Sequence, residues 1–109
     1  MTKRYRTNEE AMEEFFRQRP HRIGGYLEVL FEEIDEEGGQ GALLSSLRIL
    51  SRVIGVGEVA KKAGMTRKGL QKALSETGNP NLQNVNAILH ALGYRLAPKK
   101  LEKKPRRHA

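Results

Sequence analysis

Cysteine is absent from this 109-residue chain, so neither disulfides nor thiolate chemistry is open to it, which fits a reducing cytosol. No apolar run approaches the length of a bilayer-spanning helix, and the polar start MTKRYRTNEE has no signal-peptide core; the chain reads as cytoplasmic, with no membrane attachment. Strict alternation of apolar and polar residues is missing, as are Val/Ile/Thr-rich runs, which points to an all-α fold. Catalytic groupings are also scarce. His21, His90 and His108 lie far apart in sequence, and no pair has metal-ligand spacing. Gly64 and Gly69 have the separation of a phosphate loop but lack the Lys-Ser/Thr that must come after the second glycine. Nothing here calls for an enzyme, a metal or a cofactor.

What is present is charge, unevenly spread. Residues 1–39 hold six Lys/Arg and ten Asp/Glu, a net −4, whereas residues 40–109 hold fourteen and three, a net +11. A basic region attracts a polyanion through counterion release; an acidic one is repelled by it and suits either plain solvation or a basic protein partner. The length allows one domain with small additions.

Helix signals recur along the chain. After a basic lead-in, Met1–Tyr5, Asn8 is placed to cap a helix running to about Arg19, with Ala11, Met12, Phe15 and Phe16 as its apolar stripe. Pro20 breaks it and opens a second helix to about Glu37, with Ile23, Tyr26, Leu27, Leu30, Phe31 and Ile34 on one face. Gly24 and Gly25 weaken its start unless they pack closely against a neighbour. Gly38, Gly39 and Gly41 separate it from a third helix, Ala42–Ile54, and Gly55 and Gly57 flank the entry to a short fourth. After Ser75, Gly78 and Asn79 suit positive φ in a loop that ends at Asn81, the expected cap of a last helix, Leu82–Leu92. Its core face is Leu82, Val85, Ile88, Leu89 and Leu92; Tyr94–Ala97 suits extended backbone. These signals divide the chain into 1–19, a lead-in and acidic amphipathic helix; 20–97, a helical domain; and 98–109, a disordered basic tail.

The most informative stretch is Val56–Ser75, VGEVAKKAGMTRKGLQKALS, which has the spacing of a helix-turn-helix DNA reader. Ala60 is small enough for two steeply crossed helices to touch, Gly64 can end the first helix in a left-handed conformation, and Thr66 can cap the second. Val59, Met65, Leu70, Ala73 and Leu74 then turn inward and Arg67, Lys68, Gln71, Lys72 and Ser75 outward, a donor-rich face without an acid. A plain helical hairpin with a solvated basic face remains the competing reading.

Val56–Leu96, above all KALSETGNPNLQNVNAILHALGYRL from Lys72 on, resembles the addiction-module antidotes, antitoxins with a Cro/CI (XRE) helix-turn-helix encoded beside a small toxin. The acidic helix with YLEVLFEE is similar to the helix these proteins place upstream, so the resemblance covers about residues 20–97. It implies a lambda-repressor-like helix-turn-helix bundle preceded by acidic helices. It further implies a homodimer that binds double-stranded DNA at an operator in its own promoter and neutralises a co-encoded toxin of the ribosome-dependent endoribonuclease type (RelE/HigB-like). The base-contacting positions carried over are Thr66, Arg67, Lys68, Gln71 and Lys72. Two positions depart from the pattern: Val56 stands where many such readers have a phosphate-touching Gln, and Gly69 lies inside the recognition helix.

The side chains suit these tasks in different ways. Arg67 can donate two parallel hydrogen bonds to guanine O6 and N7, with a phosphate contact as the alternative, and Gln71 can pair with adenine or remain solvated. Lys61, Lys62 and Lys72 suit phosphate, and Asn79 and Asn81 stand where a phosphate can meet the last helix or where they simply cap the loop. In the acidic half, Met12, Glu13, Glu14, Phe15 and Phe16 lie on a helix too short to be stable alone, which suits a segment that gains order by docking on a basic toxin, Pro20 letting it reorient. The aromatic residues Phe15, Phe16, Tyr26 and Phe31 equally suit core or dimer packing, as in a stand-alone repressor without a toxin.

Overall fold

A computed structural model describes residues 7–102 of the chain. The described residues contain helices and no strand: α1 Asn8–Gln18, a single 3-10 turn Pro20–Arg22, α2 Ile23–Glu32, α3 Gly39–Ile54, α4 Val56–Ala63, α5 Arg67–Ala73 and α6 Leu82–Leu92. None is long and apolar enough to cross a membrane. The lead-in Met1–Tyr5 and the tail from residue 103 lie outside the described residues.

Helix α1 is capped by Thr7 and not by Asn8. The Thr7 hydroxyl accepts from the Glu10 amide (3.0 Å) while the Glu10 carboxylate accepts from the Thr7 amide (3.1 Å), satisfying two backbone donors that the first turn leaves free. Helix α2 is shorter than its apolar pattern implied. Pro20 initiates the 3-10 turn, and only Ile23, Leu27 and Leu30, one face over two turns, are buried. The acidic run after Glu32 has no full-length burial to offset its mutual repulsion, so the chain turns there. Gly38, at φ 78°, precedes α3, which takes in Gly39 and Gly41 instead of starting at Ala42. At Gly39 a Cβ would lie 2.2 Å from the Glu33 carbonyl oxygen, so the close return of the chain needs a residue with no side chain. Gly24 packs against Tyr94, whose hydroxyl a Cβ would meet at 3.2 Å and whose ring at 3.3 Å.

Helix α3 is the centre of the bundle: Leu43, Leu47 and Leu50 repeat along its buried face, with Ile49 beside them, and α1, α2 and α4 all pack on it. Gly55, at φ 122° and ψ 115°, accepts the junction between α3 and α4, a conformation that a side chain would strain. Gly57 lies within α4. Helix α4 packs most extensively on α6, and Val59 and Ala60 of the one and Ile88 and Leu89 of the other are buried in the shared core. After α6 the chain has no regular structure, but Leu96 packs on the core and its amide donates to Asn86 Oδ1 (3.3 Å). Lys99 pairs with Glu32 (3.1 Å), fastening the start of the basic tail to α2.

Helix α1 lies against α3 and is not a free arm. Phe16 is only 3% exposed, its ring centroid 4.8 Å from that of Tyr26, and Met12 packs at the core margin. Glu9 accepts from Arg48 (2.9 Å) and Arg52 (2.7 Å), and Glu13 from Arg52 (3.1 Å) and Arg17 (2.8 Å). The Arg48 bond, then that of Arg52, holds the Glu9 carboxyl below its ordinary value of 4.5; for Glu13 the Arg17 bond is the largest cause. Both carboxylates therefore add stability that is complete above about pH 4.5 and is lost as pH falls through their lowered folded values. Amide exchange in α1 should accelerate below that pH more than exchange in α6, and Glu9→Gln should blunt the difference. A pH-independent ratio would mean that the arginines do not hold the helix.

Candidate nucleic-acid interface

Helices α4 and α5 are joined by residues 64–66. Gly64, at φ 71°, closes α4: its amide donates to the Lys61 carbonyl (3.2 Å) and the Met65 amide to that of Ala60 (2.9 Å), the paired bonds of a left-handed helix end. Thr66 caps α5, its hydroxyl accepting from the Gly69 amide (2.9 Å). A Cβ at Gly69 would lie 2.9 Å from that hydroxyl oxygen, so the glycine that weakens the helix also clears space for its cap. At seven residues α5 is too short to persist alone, and Leu70 and Leu74, both buried, anchor it.

This anchoring turns Arg67, Lys68, Gln71 and Lys72 to solvent, with Lys61 and Lys62 exposed near the end of α4. Among the described residues no ion pair engages Lys61, Arg67, Lys68 or Lys72, whereas Lys62 pairs with Glu58 (3.3 Å) and its charge is partly answered. The Arg67 guanidinium lies near Gly57, where a Cβ would stand 4.0 Å from Nη1, so a glycine of α4 borders the group. The result is a surface of uncompensated cations with one amide side chain, which suits an anionic ligand with hydrogen-bonding edges.

Other residues that the sequence singles out are occupied otherwise. Thr66 and Asn81 spend their side-chain oxygens as caps, Asn81 accepting from the Asn84 amide (2.7 Å). Ser75 lies beyond the end of α5, half-buried, and its hydroxyl donates to the Lys72 carbonyl (2.8 Å). Asn79 is exposed in the loop. Gly78 does not take positive φ, and no non-glycine residue among those described does. Its need is closeness, a Cβ there falling 2.2 Å from the Ala73 carbonyl oxygen. Leu82 is 73% exposed and not part of the core, because the buried stripe of α6 starts one turn later, at Val85.

In the acidic half, Met12 and Phe16 are turned into the fold and Glu13 toward Arg17 and Arg52, while Phe15 stays at the surface under the Arg19 guanidinium, 4.5 Å from its ring centroid. Glu14 accepts from Gln18. Sequence reasoning does not single out the arginines that engage α1. A signal for them exists nonetheless: Arg48 and Arg52, the only charged residues of α3, stand one turn apart, as Glu9 and Glu13 do on α1.

Compared with known proteins, the chain matches the model of the probable addiction module antidote protein family over residues 9–100. The chain belongs to that antidote family. The match takes in α1 with Glu9 and Glu13, beyond the span of 20–97 on which the sequence resemblance rested. The antidote is also 36% identical over 66 residues to an uncharacterized protein of Haemophilus influenzae, a stretch covering 61% of this chain and 68% of the relative. No solved structure matches it significantly.

Proposed function

We propose that this antidote is the antitoxin of a type II module, a homodimer of lambda-repressor-like (Cro/CI) type that represses its own operon and neutralises a co-encoded toxin of the ribosome-dependent endoribonuclease class. The observation that carries the DNA half is the unpaired cationic surface on α4 and α5, placed on a capped, well-anchored short helix joined to its predecessor by a three-residue turn. Arg67 reads a guanine edge, Gln71 supplements it, and Lys61, Lys68 and Lys72 hold phosphates. Family membership carries the toxin half, with the exposed edge of α1 around Phe15 and Glu14 as the contact surface and the basic surface of an RNA-handling protein as its complement.

Titration of the whole chain against a duplex from upstream of its own coding region, at several salt concentrations, tests the reading. Lys61→Ala should weaken that duplex and a random duplex alike and reduce the salt slope by about one ion. An unchanged slope would remove Lys61 from the phosphate contacts, and salt-independent binding would contradict the electrostatic basis of the site.

A further inference from the structure

Among the described residues, the proposed DNA-facing helix α5 is tied to α3 by one long-range polar contact. Arg48, on α3, donates through Nη1 to the Leu74 carbonyl at the end of α5 and through Nη2 to Glu9 Oε2 (2.9 Å) on α1. Among the described residues no other hydrogen bond joins α3 to α5. Beside this contact lies an open notch of about 200 Å³, bordered by Arg48, Ser51, Val56, Gln71 and Leu74. Ser51 Oγ is buried there and has no hydrogen-bond partner among the described residues, so it adds nothing to the tie. Packing under α5 is thus incomplete on the α3 side, and the arginine fork supplies what packing does not.

A guanidinium is suited to this because its planar fork serves two acceptors in fixed, divergent directions, and because a cation is favoured at the negative end of a helix. Glu9 sets the rotation of the fork; the fork sets the last turn of α5. We propose that Arg48 is a positioning residue for DNA recognition that couples α5 to the docking of α1, so that whatever undocks α1 also loosens the reading helix. The inference rests on the DNA-binding reading of α5, and its test separates the two.

Arg48→Met keeps the aliphatic stem and removes both bonds; Glu9→Gln keeps the packing and weakens the hold on the fork together with the Arg52 pair on the same helix. Each full-length variant is titrated against the duplex from upstream of its own coding region and against a random duplex of equal length, and amide exchange is followed without DNA. Arg48→Met should lower the preference for the upstream duplex roughly tenfold, the scale of a lost charge-assisted hydrogen bond. Glu9→Gln raises the net charge, so electrostatics alone would tighten both complexes; coupling instead lowers the preference severalfold. In both variants the amides of Leu70–Leu74 should exchange faster relative to those of α6. Equal weakening on both duplexes in Arg48→Met would make Arg48 a phosphate contact and overturn the proposal. Unchanged α5 exchange in both variants would overturn it whatever the DNA result, whereas an unaltered chain with no preference for the upstream duplex would sink the DNA reading itself.

Discussion

Phe16→Ala is expected to lower the free energy of unfolding by about 3–5 kcal/mol, and Phe15→Ala by less than about 1 kcal/mol. The two aromatics are neighbours in sequence, stacked edge to face with ring centroids 5.1 Å apart, and carry the same side chain. Their environments differ: Phe16 is 3% exposed against Tyr26 and the core, Phe15 37% exposed under Arg19. Removing Phe16 leaves a cavity at the α1–α3 contact, and a loss of that size is a large share of the roughly 5–15 kcal/mol that stabilises a small domain. Urea unfolding followed by circular dichroism reads both variants. Near-neutral behaviour of Phe16→Ala would show that α1 contributes little to the fold. On the proposed toxin reading, Phe15→Ala should weaken protection of cells that co-express the toxin while leaving stability intact.

Arg67→Ala should cost about 1–3 kcal/mol at the proposed operator, roughly five- to 150-fold in affinity, and far less on random DNA. Arg67 is exposed and free of ion pairs among the described residues, so no intramolecular ion pair is lost with it and the effect reports mainly the complex. Equal losses on both DNAs would make it a phosphate contact, and Gln71 would be left as the reader of bases.

The fold is most legible in the sequence where one residue type answers one local demand. Thr66 and Asn81 as caps, Gly64 at the helix end, and Leu70 and Leu74 as anchors all stand where spacing placed them. It is least legible where the demand comes from elsewhere in the fold. Gly39 and Gly78 are required by carbonyl oxygens of the preceding segment, a close approach that composition does not reveal and that looks the same as a positive-φ turn. Leu82 fits the apolar period of α6 yet lies a turn before the buried stripe begins. The acidic half suits plain solvation as well as a partner when read from sequence because the arginines that tie Glu9 and Glu13 to the fold lie some forty residues away, on α3. The candidate DNA surface is local to one turn and two helices; the tie that holds it, Arg48, is not.

A footprint of the whole chain on the DNA upstream of its own coding region bears most immediately on operator recognition by a dimer. A dimeric reader protects two symmetry-related half-sites about one helical turn, roughly 10 base pairs, apart, and Arg67→Ala abolishes that protection at concentrations where random DNA is still bound. Uniform coverage without discrete half-sites, or protection that survives Arg67→Ala unchanged, would contradict recognition through α5.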